Sequence, residues 1–158
     1  MSKDLLLFET GNGGDMNLSN NDLELVETLF QQVYLCLFGG NIEVSTKGDE
    51  LANQIRQDWW GNSLQFNEKK EKQFNSETEK ILNTTALNSS GRILITRAVE
   101  EDLKYLKNIS DVKINVIILA NNKIKIVIAL KIPNDNEDKI LQIIWDNART
   151  EIITERQI

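Results

Sequence analysis

The spacing of apolar residues predicts a helix in the first third of the chain. In "LVETLFQQVYLCLFGG", apolar side chains recur at steps of three and four residues, the period of an amphipathic helix. Gly39-Gly40 should end this helix, because glycine adopts the left-handed conformation at a helix end without strain. The residues on the predicted apolar face are Val26, Leu29, Phe30, Val33, Tyr34, Leu37 and Phe38.

Two further helices are predicted in the middle of the chain. "SETE" (Ser76 to Glu79) has the spacing of a capping box, in which Ser76 and Glu79 would satisfy free amides at the start of a short helix through about Leu82. "SSGRILITRAVEEDLKYLKNI" predicts the longest helix, with Glu100 and Lys104 paired on its exposed side. Its predicted apolar face comprises Ile95, Ala98, Val99, Leu103, Leu106 and Ile109.

The last third alternates with a period of two and predicts a β-hairpin. "VKINVIILA" and "IKIVIALKI" are joined by "NNK", whose asparagines tolerate positive φ. A two-residue loop would place Ile118 opposite Lys125, whereas a three-residue loop from Asn121 to Lys123 would place Ile118 opposite Ile126. We predict the three-residue loop, because it gives one uniformly apolar face to cover the long helix. That face would comprise Val112, Ile114, Val116, Ile118, Ile126, Ile128, Leu130 and Ile132.

The opposite face of this hairpin is more apolar than a solvated face needs to be. It carries three lysines together with apolar side chains, and the edge of such a meander invites strand addition by another chain. The alternative is a protected edge, on which the lysines prevent aggregation. We therefore select Lys125 and Val127 as candidate partner-binding residues. The residues of this face are Lys113, Ile117, Leu119, Lys125, Val127 and Lys131.

These patterns predict an α+β protein with one domain, residues 1–158. Near the N-terminus, "LLLFE", the turn-rich "TGNGGD" and "MNLS" predict a small β element. "KILQIIWD" predicts a third C-terminal strand, and the tail "NARTEIITERQI" is ambiguous. The predicted order is an N-terminal β element and helices, followed by an antiparallel three-stranded meander packed on the long helix. Residues 1–50 form an acidic segment with the first helix, 51–110 a Trp-Trp-Gly corner and helices, and 111–158 the meander and tail.

Charge and composition exclude several functions. The net charge is −6, and residues 1–50 hold nine acidic and two basic side chains, which argues against nucleic-acid binding. No apolar run is long enough for a membrane helix, the N-terminus is too short and acidic for a signal peptide, and the one cysteine excludes a disulfide framework. We expect a soluble protein that binds neither nucleic acid nor membrane.

Catalytic and cofactor chemistry are also poorly supported. The chain contains no histidine, so Ser-His and Cys-His nucleophiles and histidine metal sites are impossible. "GNGG" lacks the lysine of a phosphate-binding loop. Carboxylates in "DLELVE" and "VEEDL" are most simply solvated, so we predict no enzyme, no catalytic residue, no metal and no cofactor.

The segment "QDWWGNSL" concentrates two of the three tryptophans in one polar stretch. Adjacent side chains point in different directions, so a single core does not easily accommodate both rings. One interpretation is a corner at which Trp59 and Trp60 pack on two sides while Gly61 lets the chain turn. The other keeps one ring for an interface, where tryptophan is enriched among hot spots.

The order of these segments resembles the baseplate wedge protein of Mu-like contractile-tailed phages. The resemblance covers roughly residues 3 to 146 and depends most on "WWGN", preceded by the acidic N-terminal segment and followed by "ALNSSGRILITRAVEEDLKYL" and "IIWD". That family is related to the sheath-initiator subunit of T-even phages and of contractile injection systems. Asn62 departs from the acidic residue usual in the Mu-like motif, and the Glu-Pro-Arg triad of the T-even branch is absent because the one proline is Pro133.

The resemblance implies a structural subunit located between the wedge ring and the first sheath ring, in six copies. Its partners would be other wedge subunits and the tail sheath protein, with tube or hub proteins as further neighbours, and it would reside in the virion baseplate after assembly in the host cytoplasm. The acidic segment and the residues Trp59, Trp60 and Gly61 would face neighbouring wedge subunits, and Trp145 in "IIWD" is a further candidate. Two alternatives are a carboxylate-based peptidoglycan hydrolase and a glycan-binding module that uses tryptophans.

Overall fold

The structure, a computed structural model, describes residues 3–9, 14–39, 76–119, 122–133, 138–149 and 151–157. Within these ranges the chain combines helices with antiparallel sheets, which confirms the predicted α+β class. The candidate residues Trp59, Trp60 and Gly61 lie outside the described residues, so the prediction for the tryptophan corner remains a prediction.

The N-terminal region consists of short strands that form separate two-stranded pairs. The strands pair as β1 with β6, β2 with β3 and β4 with β5, all antiparallel. The pair β2–β3 is a hairpin that aligns Leu7 with Met16, but its return strand shares only Met16 with the expected strand "MNLS" and begins inside the expected turn "TGNGGD". The bounds are β1 Lys3–Leu5, β2 Leu7–Glu9, β3 Gly14–Met16, β4 Leu18–Ser19, β5 Asp22–Leu23 and β6 Leu25–Glu27.

Helix α1 (Thr28–Phe38) follows β6 directly and carries most of its predicted apolar face into the core. Val26 is buried as expected, but it belongs to the strand β6 and not to the helix. The helix ends at Phe38, and the capping residue Gly39 has φ −76°, so its backbone is not left-handed.

Both helices predicted in the middle of the chain are present, and the longer one is divided into two parts. The short helix is α2 (Thr78–Thr84). The longer one forms helix α3 (Ser89–Asp102) and a 3₁₀-helix (Lys104–Asn108). Because the α-helix ends at Asp102 and a 3₁₀-helix begins at Lys104, Lys104 forms its ion pair with Glu101 (2.9 Å) and not with Glu100 as predicted. Ile109, expected on the apolar face, follows the 3₁₀-helix and is exposed.

The C-terminal region is a four-stranded antiparallel meander in the order β10-β9-β8-β7. The prediction of three strands was wrong, because the ambiguous tail supplies β10. Ile152, Ile153 and Thr154 are β-branched residues that favour a strand, and a bulge interrupts the pairing between Ile152 and Thr154. The bounds are β7 Asp111–Ile118, β8 Lys123–Lys131, β9 Lys139–Asp146 and β10 Glu151–Gln157.

The register of the β7–β8 hairpin differs from the prediction by two residues. Ile118 pairs with Ile124 and not with Ile126, and the Leu119 amide donates to the Lys123 carbonyl at 2.8 Å. Three-residue hairpin loops place their left-handed residue last. That residue is Asn122, with φ 59°, because asparagine tolerates this conformation better than lysine. A shift of two residues preserves the faces, so the same apolar side is buried, with Ile124 included and Ile132 beyond the strand.

The helices cover one face of the meander and create a two-layer core. α3 packs beside β7, and Phe38 of α1 stacks on Trp145 of β9 with ring centroids 6.0 Å apart. Alternate residues of β8 and β9 point into this layer and are completely buried. They are Ile124, Ile126, Ile128, Leu130, Leu141, Ile143 and Trp145.

Candidate functional site

Lys125 and Val127 lie on the face of the meander that points away from the helices. Both are half-buried in the central part of β8, between the buried residues of the other face. Lys125 is flanked by Ile117 on β7 and Ile144 on β9, so apolar side chains border a cation. We call this surface the open sheet face, and its residues are exposed or half-buried. It comprises Asn115, Ile117, Lys125, Val127, Gln142 and Ile144.

Trp145 does not belong to that surface. Its side chain is completely buried on the helix side of β9 and stacked on Phe38. The expectation that it contacts a partner was wrong, because its position in β9 has the parity of Leu141 and Ile143 and therefore points into the core.

The two edges of the meander differ in their surroundings. Among the described residues neither β7 nor β10 has a strand partner on its outer side; α3 and the 3₁₀-helix pack beside β7, and β2 of the N-terminal region approaches β10. Ladder hydrogen bonds alternate along a strand. The bonds Leu119 N to Lys123 O and Asn147 N to Asn122 O show which residues of β8 bond to β7 and which bond to β9. Followed through the register of β9 and β10, the same alternation directs the amides of Glu155 and Gln157 away from β9. β10 therefore offers outward donors, and its bulge at Ile153 adds a local twist.

The N-terminal strands meet at a three-way junction of backbone hydrogen bonds. Leu6 N donates to Glu24 O at 2.9 Å, Glu24 N to Asn17 O at 2.9 Å, and Asn17 N to Leu6 O at 3.1 Å. Three two-stranded arms radiate from this ring of bonds, and we call the assembly of β1 to β6 the clover.

Sequence reasoning missed the clover, although the sequence contains a signal for it. The pattern Asp-apolar-x-Leu occurs three times, as "DLLL", "DMNL" and "DLEL" at residues 4–7, 15–18 and 22–25. The third position of each copy is a junction residue: Leu6, Asn17 or Glu24. Because strand side chains alternate, the residues on either side of the junction point to the other face of the clover.

That other face is apolar and solvent-exposed. Leu18 is 70% exposed and Leu25 55%, while Leu6 and Val26 on the inner face pack in or against the core. Leu18 pairs directly with Leu23 across the β4–β5 arm. We call this surface the clover face; it comprises Leu5, Met16, Leu18, Leu23 and Leu25.

A buried polar junction joins the three helices, and it replaces the predicted capping box. Ser76 is buried and donates to the carbonyl of Leu37 and to Asp102 (3.2 Å), so it does not cap α2. Asp102 at the end of α3 instead accepts from Thr78 N at 2.8 Å, Thr78 Oγ1 at 2.6 Å and Glu77 N at 3.0 Å. Burial raises the pKa of Asp102, while the hydrogen bonds from Glu77, Thr78 and Ser76 lower it by less.

Neither a nucleophile nor a metal site emerges among the described residues. Burial raises the pKa of the Cys36 thiol to about 12, so the reactive thiolate is disfavoured. No group of three metal-binding side chains occurs in the described ranges, and none of their helices is long and apolar enough to cross a membrane. A cleft beside α2 and α3 has a lining of mixed charge, and its charged side chains are solvent-exposed: Glu77, Arg97, Glu100, Glu101, Lys104 and Lys107.

Comparison of the chain with known protein families, curated proteins and solved structures found no match.

Proposed function

We propose that this protein is a structural subunit of a contractile-tail baseplate wedge. In this role it joins the wedge ring to the first sheath ring and initiates sheath assembly by strand addition. The proposal includes the arrangement of the parts: the N-terminal β element and helices face the wedge, and the meander packed on the long helix faces the sheath. Its partners are other wedge subunits and the sheath protein.

The outward amides of β10 are the single observation that carries this proposal. An edge strand with unpaired donors accepts an extended segment of another chain, because each added ladder bond satisfies groups that otherwise require water. The open sheet face agrees with this role, since Ile144 on β9, next to β10, leaves apolar surface one strand in from the edge. The assignment to a baseplate wedge depends on the segment order around "WWGN", which resembles that of the Mu-like wedge protein.

A proline in β10 tests strand addition. Glu155→Pro removes an amide that points away from β9, so the fold should tolerate it, as edge positions do. In the particle that carries this gene, we expect baseplates and naked tubes without sheath, scored by negative-stain microscopy. Thr154→Pro is the contrasting variant, because its amide points towards β9 and its loss should detach β10.

Two controls make the result specific to the β10 edge. Glu155→Ala removes the same side chain but keeps the amide, so it should build sheathed tails. Ile114→Pro removes an outward amide from β7, with Ile114→Ala as its side-chain control. Normal sheathed tails from folded Glu155→Pro would contradict addition at β10, and naked tubes from Ile114→Pro alone would move the contact to β7.

A further inference from the structure

We infer that the open sheet face is a docking surface for an amphipathic helix of another protein, one that carries acidic residues beside its apolar side chains. This contact is separate from strand addition at β10, because it uses side chains that point out of the sheet and not backbone groups in its plane. It depends on the proposed function only in expecting the partner among the subunits of the same particle.

The first argument is the apolar content of this face. The cross-strand row Lys113, Ala129 and Ile140 lies next to the row of Val127 and continues the open sheet face. A sheet face that meets only water is typically polar. In these rows the outward residues of β8 and β9 are mostly apolar, and Ile117 on β7 is 40% exposed. The face therefore presents more apolar surface than contact with water requires.

The second argument is the position of the lysines within this apolar surface. Lys125 lies between Ile117 and Ile144 of the neighbouring strands. Lys113 lies opposite Ala129, and neither lysine forms an ion pair with another described residue. Carboxylates of a partner would pair with both lysines, because interfaces place opposite charges against each other.

The acidic residues of the same face lie at its ends. Asp111 is opposite Lys131 at one end, and Asp146 is opposite Lys123 at the other. Asp146 is buried and accepts hydrogen bonds from backbone amides of the turn that follows it. The described rows between these ends carry no carboxylate on β7, β8 or β9, so the centre of the face is cationic.

Protection of a sheet edge does not account for Lys125. Lysines hinder aggregation when they stand on a strand whose backbone groups are unpaired. β8 pairs with β7 on one side and with β9 on the other, so it has no free edge to protect. Lys113 on β7 can serve that purpose, whereas Lys125 is a cation in the middle of an apolar surface.

The dimensions of the face fit one helix. Three neighbouring strands span about 10 Å, which is the diameter of an α-helix with its side chains. Lys125 is opposite Ile117, four residues from Lys113 on β7, so the two lysines are about 13 Å apart along the strands. Two turns of a helix rise about 11 Å, so acidic residues about seven or eight positions apart on one helix face reach both lysines.

Charge also decides between the possible occupants. A twofold contact with a second copy would bring two lysine-bearing faces together, because such an interface uses the same patch on both sides. Anionic membranes and nucleic acids bind clusters of basic residues, whereas this chain has a net charge of −6 and offers two lysines at the centre of the face. An acidic, amphipathic protein segment complements the face.

Carbodiimide cross-linking tests the inference, because this reagent joins a lysine amine to a carboxylate that it contacts. Each product of the adjacent genes is co-expressed with the full chain, and complexes are measured by size-exclusion chromatography with light scattering and by titration calorimetry. Mass spectrometry of the complex should show cross-links from Lys113 and Lys125 to carboxylates about seven or eight positions apart in one partner helix.

Charge reversal makes the test quantitative. Lys125→Glu should weaken the complex at least about tenfold, because it replaces an attraction by a repulsion. Replacing the cross-linked partner carboxylate by lysine should restore binding to Lys125→Glu. Lys107→Glu is the matched control, since Lys107 is an exposed lysine of the 3₁₀-helix, and this variant should bind like wild type.

A second variant tests the apolar part of the face. Ile117→Thr/Val127→Thr keeps β-branched side chains in both strands but removes apolar surface, so it should fold and bind about tenfold more weakly. Ile109→Thr is its control, because Ile109 is 51% exposed and lies outside the sheet.

Several outcomes would overturn the inference. They are wild-type affinity in Lys125→Glu, cross-links from other lysines alone, no complex with any adjacent product, a wild-type dimer that Lys125→Glu dissociates, and binding to phosphatidylcholine–phosphatidylglycerol vesicles that Lys125→Glu abolishes. The proposed function fails separately, through sheathed tails in Glu155→Pro. That variant should still bind through the open sheet face, so the two results are distinguishable.

Discussion

In the C-terminal meander the isoleucines of β8 are completely buried against helices, whereas the leucines of the clover face lie in water. Both regions are antiparallel, but the meander strands have seven to nine residues and the clover strands two or three. Short two-stranded pairs are not stable alone. The clover is therefore held by its inner face and by an ion pair of 2.8 Å between Glu27 and Lys139. The meander supplies stability, and the clover presents an apolar face to solvent.

Paired truncations test this division and should give the largest effect. Ile128→Ala leaves a cavity in the two-layer core and should lower the free energy of unfolding by about 2–5 kcal/mol. Leu25→Ala removes an exposed side chain and should change it by about 0.5 kcal/mol or less. Urea unfolding followed by circular dichroism measures both. If Leu25→Ala costs as much as Ile128→Ala, the clover face belongs to the core.

The difference in element length between the two regions explains which elements could be predicted from the sequence. Strands of eight or nine residues and helices of eleven or more contain several periods, so Ile126 and Ile128, like Val33 and Leu37, were assigned to the buried side from spacing alone. A strand of two residues contains no period, so β5 was not predicted, and β4 was covered only as the end of "MNLS". Their turn residues, Asn20 and Asn21, both adopt positive φ, and this local preference was the available clue.

Long-range contacts account for the remaining errors. Ser76 and Glu79 have capping-box spacing, but Asp102, over twenty positions away, supplies the acceptor. Local spacing cannot anticipate an acceptor from another helix. Trp145 is different, because its parity in "KILQIIWD" matches Leu141 and Ile143 and already indicated the core. Lys125 and Val127 were assigned to the correct face by the same parity.

Loss of the Asp102 junction should have the second largest effect. Asp102→Ala leaves the amides of Glu77 and Thr78 and the hydroxyls of Ser76 and Thr78 without this acceptor. We expect about 1–3 kcal/mol less stability in urea unfolding. Glu101→Ala is the control on the adjacent residue, whose side chain is exposed, and it should change stability by about 0.5 kcal/mol or less. Equal effects would show that the junction does not stabilise the helices.

The pH dependence of this junction follows from the raised pKa of Asp102. A carboxyl with a higher pKa in the folded chain stabilises the fold when protonated, fully below the unfolded pKa of about 3.9, and loses that contribution as the pH rises through the folded value. Relative to Asp102→Asn, which does not titrate, wild type should gain stability as the pH falls from neutral towards about 4. A difference that moves the other way would mean that hydrogen bonding outweighs burial.

The smallest expected effects distinguish the two hairpin turns. Asn122 has φ 59° in the meander and Asn21 has φ 62° in the clover, so alanine is strained at both positions by about 1 kcal/mol. Asn122→Ala should lower the free energy of global unfolding by that amount, because the β7–β8 hairpin folds with the core. In Asn21→Ala the β4–β5 arm can open without exposing the core, so the urea midpoint should barely move.

Hydrogen exchange locates the second effect. The Glu24 amide donates to Asn17 O at the junction, next to the β4–β5 arm, and it should exchange faster in Asn21→Ala but not in Asn122→Ala. If Asn21→Ala instead shifts the urea midpoint as far as Asn122→Ala does, the arm folds with the core. The clover would then be a rigid part of the fold.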